Sequence, residues 1–403
     1  MYLWHFILMT FMLTLVRANE GNNPTVELGQ DCIVNANCCT NNAKCIQGKC
    51  QCENSYVERR GNKFCQDIFS TVELGQECNE DANCRANNTI CIEGKCQCEH
   101  FYDEREIGGK KFCEGVRLLI TRENGIYLWT PPKNSKKLVF LRERLTNGFR
   151  MVSLAISRPN ANINNIYYNT WNDQKYKDEI KYFTLHGTTV GSIGRPIKVA
   201  DKAGPNATTY IRSLAFHEDT KTLYWTNMKT RNIWKCVINK ANCEPILFKQ
   251  FNNEHPAEIE VHNRFVLWTN DHLYSPSVTA EPINGAGGFD FRNDTEIPIG
   301  ISVDDKTGRV YWASKLNGAA FTVNSALLTD EKTTSWSREF MDYNYRRPIA
   351  LAFSPPNTLY WTDWNRHTIW SLRLGGKYPK AVQVPNTDFP DWPMDIAVLP
   401  SAA

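Results

Sequence analysis

One short phrase recurs across residues 117–400 and limits what this part of the chain can fold into. It is clearest as Leu359-Tyr360-Trp361-Thr362-Asp363. It returns as Leu223-Tyr224-Trp225-Thr226-Asn227, Val266-Leu267-Trp268-Thr269-Asn270 and Val310-Tyr311-Trp312-Ala313-Ser314. Ile166-Tyr167-Tyr168-Asn169-Thr170 and Leu118-Leu119-Ile120-Thr121 are weaker echoes, and successive copies lie 43 to 57 residues apart. A second phrase precedes most copies: Ser153-Leu154-Ala155-Ile156, Ser213-Leu214-Ala215-Phe216, Glu258-Ile259-Glu260-Val261, Gly300-Ile301-Ser302-Val303 and Ala350-Leu351-Ala352-Phe353. Turn-forming residues separate the two phrases, as in Asp304-Asp305-Lys306-Thr307-Gly308. The unit reads as strand, tight turn, strand.

The strands are rich in aromatic and β-branched residues, which suit a pleated surface. Leu223 and Trp225 face one way, Tyr224 and Thr226 the other, so both faces are largely apolar and both need cover. Radially packed blades satisfy that requirement, and a period in the forties is a propeller signature. The ends of the region are complementary. Met394-Asp395-Ile396-Ala397-Val398 is a first phrase with no second phrase after it, and Leu118-Leu119-Ile120-Thr121 is a second phrase with no first phrase before it. Joining them makes a sixth blade and removes the free sheet edges. The fold class expected is all-β, a six-bladed β-propeller closed by both ends of the domain.

Residues 117–400 resemble the YWTD propeller (class B repeats) of the low-density lipoprotein receptor family. Tyr224-Trp225-Thr226, Leu267-Trp268-Thr269, Tyr311-Trp312 and Tyr360-Trp361-Thr362-Asp363-Trp364 carry the resemblance, with Ile233-Trp234 and Ile369-Trp370 downstream. One copy ends in Asp and two in Asn, and the first blades are degenerate. The resemblance implies a structural role for Asn227, Asn270 and Asp363, which would hold adjacent blades together by hydrogen bonds.

Residues 25–113 hold 13 of the 15 cysteines and contain a duplication. Thr25-Val26-Glu27-Leu28-Gly29-Gln30 returns at Thr71–Gln76, and Gly-Lys-Cys-Gln-Cys closes both copies at 48–52 and 94–98. Two small modules are expected, at 25–68 and 71–115. At this density disulfides replace a hydrophobic core. The candidates are Cys32, Cys38, Cys39, Cys45, Cys50, Cys52 and Cys65 in the first module, Cys78, Cys84, Cys91, Cys96, Cys98 and Cys113 in the second. The second module resembles epidermal-growth-factor-like and invertebrate EB modules, which implies Cys78–Cys91, Cys84–Cys96 and Cys98–Cys113. In the first, Cys38-Cys39 replaces a single cysteine, leaving one thiol to pair with another chain as a disulfide-linked dimer or to stay free or capped. Cys236 and Cys243 read as a local hairpin bridge, with two unpaired core thiols as the alternative.

Residues 6–16 form an apolar run too short to span a bilayer but suited to a signal-peptide core, with cleavage expected after Ala18. Segment 1–18 is therefore read as a signal peptide. No later run is long enough to cross a membrane, and the mature protein is expected to be secreted and extracellular. A formal net charge of +3 with no dense basic stripe argues against nucleic acid. Sequons at Asn87, Asn206 and Asn293 fit a secreted glycoprotein.

Six-bladed propellers also include calcium-dependent lactonases similar to paraoxonase and regucalcin, which gather acidic and amide oxygens at the channel mouth. Here Glu258 and Asp395 start first-phrase strands, but the equivalent places hold Ser153, Ser213, Gly300 and Ala350, which is not a ligand cluster. His217, His255, His262, His272 and His367 have no partner spacing. No catalytic residue, metal or cofactor is assigned. Trp171, Trp364 and Arg366 follow the recurring phrase and are candidate partner-binding residues, with packing between blades as the other reading. The function expected is a secreted, non-enzymatic module that docks an extracellular protein ligand, soluble and receptor-like or matrix-associated and similar to nidogen. The alternative is a propeller of the yellow/royal-jelly or calcium-hydrolase type with a small molecule in its channel.

Overall fold

A computed structural model describes residues 26–35, 38, 43–53, 56–58, 65–67, 72–131, 138–142, 149–160, 163–172, 177–194, 197, 209–238, 243–285, 287–293, 296–316, 320–329, 336–344, 346–376 and 379–399. The expected signal peptide, Cys39 and Asn206 lie outside them. The chain divides into two compact units, residues 1–99 with 105–113, and residues 100–104 with 114–403.

The second unit is a six-bladed β-propeller of four-stranded antiparallel sheets. From the channel outwards, blade 1 is Phe149–Asn160, Ile163–Asn172, Lys177–His186 and Thr189–Ile193; blade 2 is Ile211–His217, Thr222–Asn227, Asn232–Val237 and Ile246–Gln250. Blade 3 is Pro256–His262, Phe265–Asn270, Ser277–Pro282 and Phe289–Asn293; blade 4 is Ile297–Asp304, Arg309–Lys315, Phe321–Leu327 and Ser337–Asp342. Blade 5 is Pro348–Ser354, Thr358–Asp363, Thr368–Arg373 and Ala381–Gln383. Blade 6 combines both ends of the domain: Pro393–Leu399 pairs with Arg117–Arg122, followed by Gly125–Trp129 and Leu138–Arg142. Asp395 lies opposite Thr121 and Ile396 opposite Ile120, so the two incomplete phrases meet in register. Arg122 locks this junction. Its Nε donates to Asp391 Oδ1 at 2.6 Å, and its guanidinium lies 4.5 Å from the Tyr127 ring centre and 4.7 Å from that of Phe389.

Among the described residues the propeller has one apolar cluster at each of its six seams. The recurring phrase supplies both sides. Trp225 points back onto blade 1, while Tyr224 points forward onto blade 3. Trp225, Trp268, Trp312 and Trp361 are all at most 1% exposed, and truncating such a side chain to Ala costs about 3–5 kcal/mol. The tyrosine place also stacks on the next blade's first phrase: Tyr167 on Phe216 at 5.2 Å and Tyr311 on Phe353 at 5.3 Å between ring centres.

Polar bonds cross the same seams. Thr226 Oγ1 accepts the N–H of Ser213 in its own blade (3.1 Å) and donates to the Ala257 carbonyl in the next (2.6 Å). Thr269 repeats this with Glu258 N–H (3.1 Å) and the Ile299 carbonyl (3.0 Å). In degenerate blade 1 the longer Asn169 does the same work: its Oδ1 accepts Ser153 N–H and its Nδ2 donates to the Ile211 carbonyl. The phrase-terminal residues act differently from the role the resemblance implies. Asn227 Oδ1 accepts N–H groups from Tyr210, Lys229 and Thr230, and Asp363 Oδ1 from Arg347, Asn365 and Arg366. They tie the incoming crossover loop to the turn after the second strand. Within the phrase the blade-to-blade hydrogen bond belongs to the preceding residue, whose side chain reaches a carbonyl of the neighbouring inner strand.

In the first unit, Cys32–Cys45 and Cys38–Cys50 staple one module, and Cys78–Cys91, Cys84–Cys96 and Cys98–Cys113 the other. The duplication is structural as well: Gly29 N–H donates to the Cys50 carbonyl and Gly75 N–H to that of Cys96, both at 2.8 Å. Cys52 is also disulfide-bonded. In the propeller, Cys236 and Cys243 are bridged. No described helix is long and apolar enough to cross a membrane.

Thr226→Val should leave the Ser213 N–H and the Ala257 carbonyl without their buried partner and lower stability by about 1–3 kcal/mol. Thr226→Ser, which keeps the hydroxyl, should recover most of it. Urea unfolding followed by tryptophan fluorescence measures both; equal losses in the two variants would assign the effect to packing.

Candidate functional site

The innermost strands run parallel to the channel, so equivalent residues of the six blades form successive layers along it. The first layer contains Ser153, Ser213, Glu258, Gly300, Ala350 and Asp395. Its polar members bond to one another. Asp395 Oδ2 accepts the Ser153 hydroxyl and Leu154 N–H, both at 2.8 Å. Ser153 Oγ in turn accepts Leu214 N–H at 2.9 Å, and Ser213 Oγ accepts Ile259 N–H at 3.2 Å. Arg212 Nη2 lies 3.2 Å from Glu258 Oε1 and reaches the Ile349 carbonyl of blade 5 at 3.4 Å. One guanidinium thus links blades 2, 3 and 5. The second layer is a collar of Leu154, Leu214, Ile259, Ile301, Leu351 and Ile396, each at most 5% exposed.

Burial dominates the ionisation of these acids. It pushes the Glu258 carboxyl up to about 8, against the opposing pull of Arg212. Asp395 is also raised by burial, although Leu154 N–H, the Ser153 hydroxyl and Ile396 N–H favour its charged form. At the seam between blades 1 and 2, burial raises Asp178 to about 6 despite bonds from Ile211 N–H, Asn169 and Thr209.

One mouth of the channel opens among the crossover loops and the turns after the second strands, here called the crossover face. A depression of about 310 Å³ lies there, lined by residues including Tyr210, Arg212, Met228, Asp271, Arg347 and Trp364. Beside it Trp364 and Trp392 stack almost parallel (4°), 4.8 Å between centres. Arg347 lies 5.8 Å from the Trp364 ring centre and Arg150 5.9 Å from that of Trp392. The column runs Arg347, Trp364, Trp392, Arg150. Trp171 packs edge-on against Tyr210 at 5.2 Å. In blade 3, the His255 and His272 rings meet edge-on at 4.8 Å, and Tyr274 and Leu273 are 90% and 72% exposed.

Of the residues singled out from sequence, Trp171 and Trp364 are half-buried on this face and Arg366 is exposed, its Nη2 donating to the Asn344 carbonyl. Trp364 joins the column; Arg366 does not. Trp392, Arg150, Arg347 and Tyr210 went unnoticed because they precede or begin inner strands and so fall outside the phrase. Asn87 is exposed, and Asn293 ends a strand of blade 3.

The other mouth opens among the hairpins that join first and second strands, here called the hairpin face. It is a chamber of about 420 Å³ reached by the inner strands of all six blades. Its third layer is Ala155, Ala215, Glu260, Ser302, Ala352 and Ala397, and its rim includes Arg158, His217, Glu218, Asp219, His262 and Asp305. Burial, reinforced by Asp305 and Asp395, pushes the Glu260 carboxyl up to about 8. The signal for Glu260 was in the sequence: it is the one acid in a layer of Ala and Ser.

The folded state holds the Glu260 proton more tightly than the unfolded chain, where its value is 4.5. Its favourable contribution is therefore complete below about 4.5 and lost as pH rises towards about 8. Glu260→Gln should raise the melting temperature at pH 8 and lose that advantage by pH 4.5. Scanning calorimetry across this range tests it, and an advantage independent of pH would refute the assignment.

No family model matches the chain. It is 32% identical over 167 residues to protein cueball of Aedes aegypti, covering 39% of this chain and 24% of that protein. It is 28% identical over 169 residues to protein cueball of Drosophila willistoni, covering 40% and 25%. The chain thus spans about a quarter of the length of these relatives. Among solved structures, a chain of the nidogen/laminin complex aligns with a TM-score of 0.55 at 15% identity, over 72% of this chain and 100% of that one. TolB of Acinetobacter baumannii aligns with a TM-score of 0.50 at 11% identity, over 70% and 66%. At these identities the two structures establish the fold alone.

Proposed function

We propose that this chain is a secreted, non-enzymatic, extracellular protein-binding module of the class B (YWTD) type, with the crossover face as its docking platform. The observation that carries the reading is the Arg347–Trp364–Trp392–Arg150 column beside the crossover-face depression. Tryptophan and arginine are enriched among residues that dominate binding energy, because they offer large area and directed polar contacts from few flexible bonds. The column is braced from within, so little side-chain freedom remains to be lost on docking. Exposed Arg347 and Lys315 give the depression a positive rim, with Asp271 the one acid lining it among the described residues. That rim suits an acidic side chain of a partner protein.

The disulfide-stapled modules support an oxidising, extracellular setting. The structural neighbour drawn from a protein–protein complex is in keeping with a docking role. The channel favours docking over catalysis: Glu258 and Asp395 are engaged by Arg212, Ser153 and backbone N–H groups, which leaves them poorly placed to act on a substrate.

A photoreactive side chain at Leu273 or Tyr343 should cross-link the full-length chain to an extracellular protein in a saturable manner. Trp364→Ala should weaken this capture by about 2 kcal/mol or more. The control position is Ile246, which is 52% exposed and begins an outermost strand on the hairpin side. Equal capture at Ile246, or capture insensitive to both Trp364→Ala and Arg347→Ala, would overturn the assignment.

A further inference from the structure

We propose that the chamber on the hairpin face binds a small organic ammonium ion, a protonated amine with a compact apolar body, with Glu260 as its counter-ion. This site lies at the opposite mouth from the docking platform and stands or falls independently of it.

The chamber's volume of about 420 Å³ falls within the roughly 300–1,000 Å³ usual for small-molecule sites. It passes the leucine and isoleucine collar to reach Ser213, Glu258 and Asp395, and Arg212 crosses beyond them. The third layer needs small residues because each packs towards the next blade: Ala155 lies in the cluster with blade 2, Ala215 in that with blade 3, Ala352 in that with blade 6. Ser302 fits the same rule, its hydroxyl accepting the Phe353 N–H of the next blade at 2.9 Å. Glu260 breaks the rule. Its carboxyl accepts the N–H of adjacent Val261, and the charges acting on it most strongly, Asp305, Asp395 and Glu258, are all acids. The rim's imidazoles have other engagements: His217 Nδ1 meets Thr220, and His262 Nδ1 meets Asp305. An acid that violates its layer's pattern, with other acids as the charges acting most strongly on it, is the kind of local inconsistency that marks a functional position.

The chemistry of the walls narrows the occupant. An anion would face Glu260, Glu218, Asp219 and Asp305. A calcium ion requires six to eight oxygens; of the deeper acids lining the chamber, Glu258 pairs with Arg212 and Asp395 accepts from Ser153 and Leu154 N–H, and the third layer adds only Glu260 and Ser302. An ammonium group needs one carboxylate and a few neutral acceptors. The inner edges of the innermost strands have no ladder partner, so their carbonyls are available to it. Above Glu260 the walls are Ile156, Phe216, Val261, Val303, Phe353 and Val398, which suit an apolar body rather than a bare ion.

Isothermal titration of the full chain at about pH 9, where Glu260 is ionised and the amine keeps its proton, tests this with phenethylammonium, neutral 2-phenylethanol of similar size, and calcium chloride. We expect one phenethylammonium per chain, bound roughly ten- to a hundredfold more tightly than the alcohol. Glu260→Gln should erase that difference, and Ala397→Leu, which fills the chamber, should remove binding of both compounds. Trp364→Ala should leave binding unchanged. Absence of saturable binding at millimolar amine, equal affinity in Glu260→Gln, or displacement of the amine by calcium would each overturn the proposal. Circular dichroism of each variant separates lost binding from lost folding, and the Glu260→Gln comparison suffices should Ala397→Leu fail to fold.

Discussion

The hydroxyl of Thr226 is the smallest unit from which the propeller's coherence can be understood. Blades are separate sheets, so no backbone ladder runs from one to the next, and the six seams are held mainly by side chains. Apolar packing supplies most of the energy at a seam, but packing between two smooth sheets tolerates sliding. A hydroxyl that accepts from its own inner strand and donates to the neighbouring one fixes height as well as distance. Where the threonine is replaced, the structure finds another route. Asn169 covers the same gap with an amide in blade 1. In blade 4 the phrase ends Ala313-Ser314, and the bond to the next blade passes to Ser302, whose hydroxyl accepts the Phe353 N–H at 2.9 Å.

These substitutions explain how much of the fold was legible in the sequence. Period, strand pattern and the complementary ends suffice for six blades, because burial on both faces forces the apolar alternation seen at Leu223–Thr226. The pairing of Pro393–Leu399 with Arg117–Arg122 follows from the same pattern. Side-chain roles were less legible. The terminal Asn or Asp of the phrase resembles a blade-to-blade link, yet it ties its own incoming loop to a turn, since a strand end cannot reach the neighbouring inner strand. The column was half visible: Trp364 adjoins the phrase, but Trp392 lies in a connection and Arg150 at the start of an inner strand, ahead of the phrase. Only the closed ring brings residues 150, 347, 364 and 392 together.

The part of the head held within the propeller unit was equally hidden. His100–Glu104 clusters with the blades: Phe101 packs edge-on against Trp129 at 5.6 Å, and buried Asp103 bonds the hydroxyl of buried Ser354. A boundary drawn at the last cysteine of the second module therefore separates the propeller from residues that fill its own surface. Nothing in the composition of this stretch announces that, because an aromatic residue beside charged ones is common in small disulfide-rich modules.

The channel shows why one ring can offer two different mouths. Sixfold repetition would make every layer uniform, and the collar of leucine and isoleucine nearly is. Function needs departures from that symmetry, and each departure must be matched by a partner or left as an opportunity. Arg212 is matched by Glu258 and the Ile349 carbonyl, at the cost of burying its charge, and crosses the passage rather than leaving it open. The crossover face departs through loops, which may vary without disturbing the seams. Glu260 departs within a strand, in a layer whose neighbours are small because the next blade leaves them no room. Such a residue departs from the packing logic of its own seam, and the charges acting on it most strongly are those of other acids. The physical case for a ligand at the hairpin mouth rests on that asymmetry: burial and neighbouring acids hold the Glu260 proton up to about 8, and a cation from outside would favour the charged form.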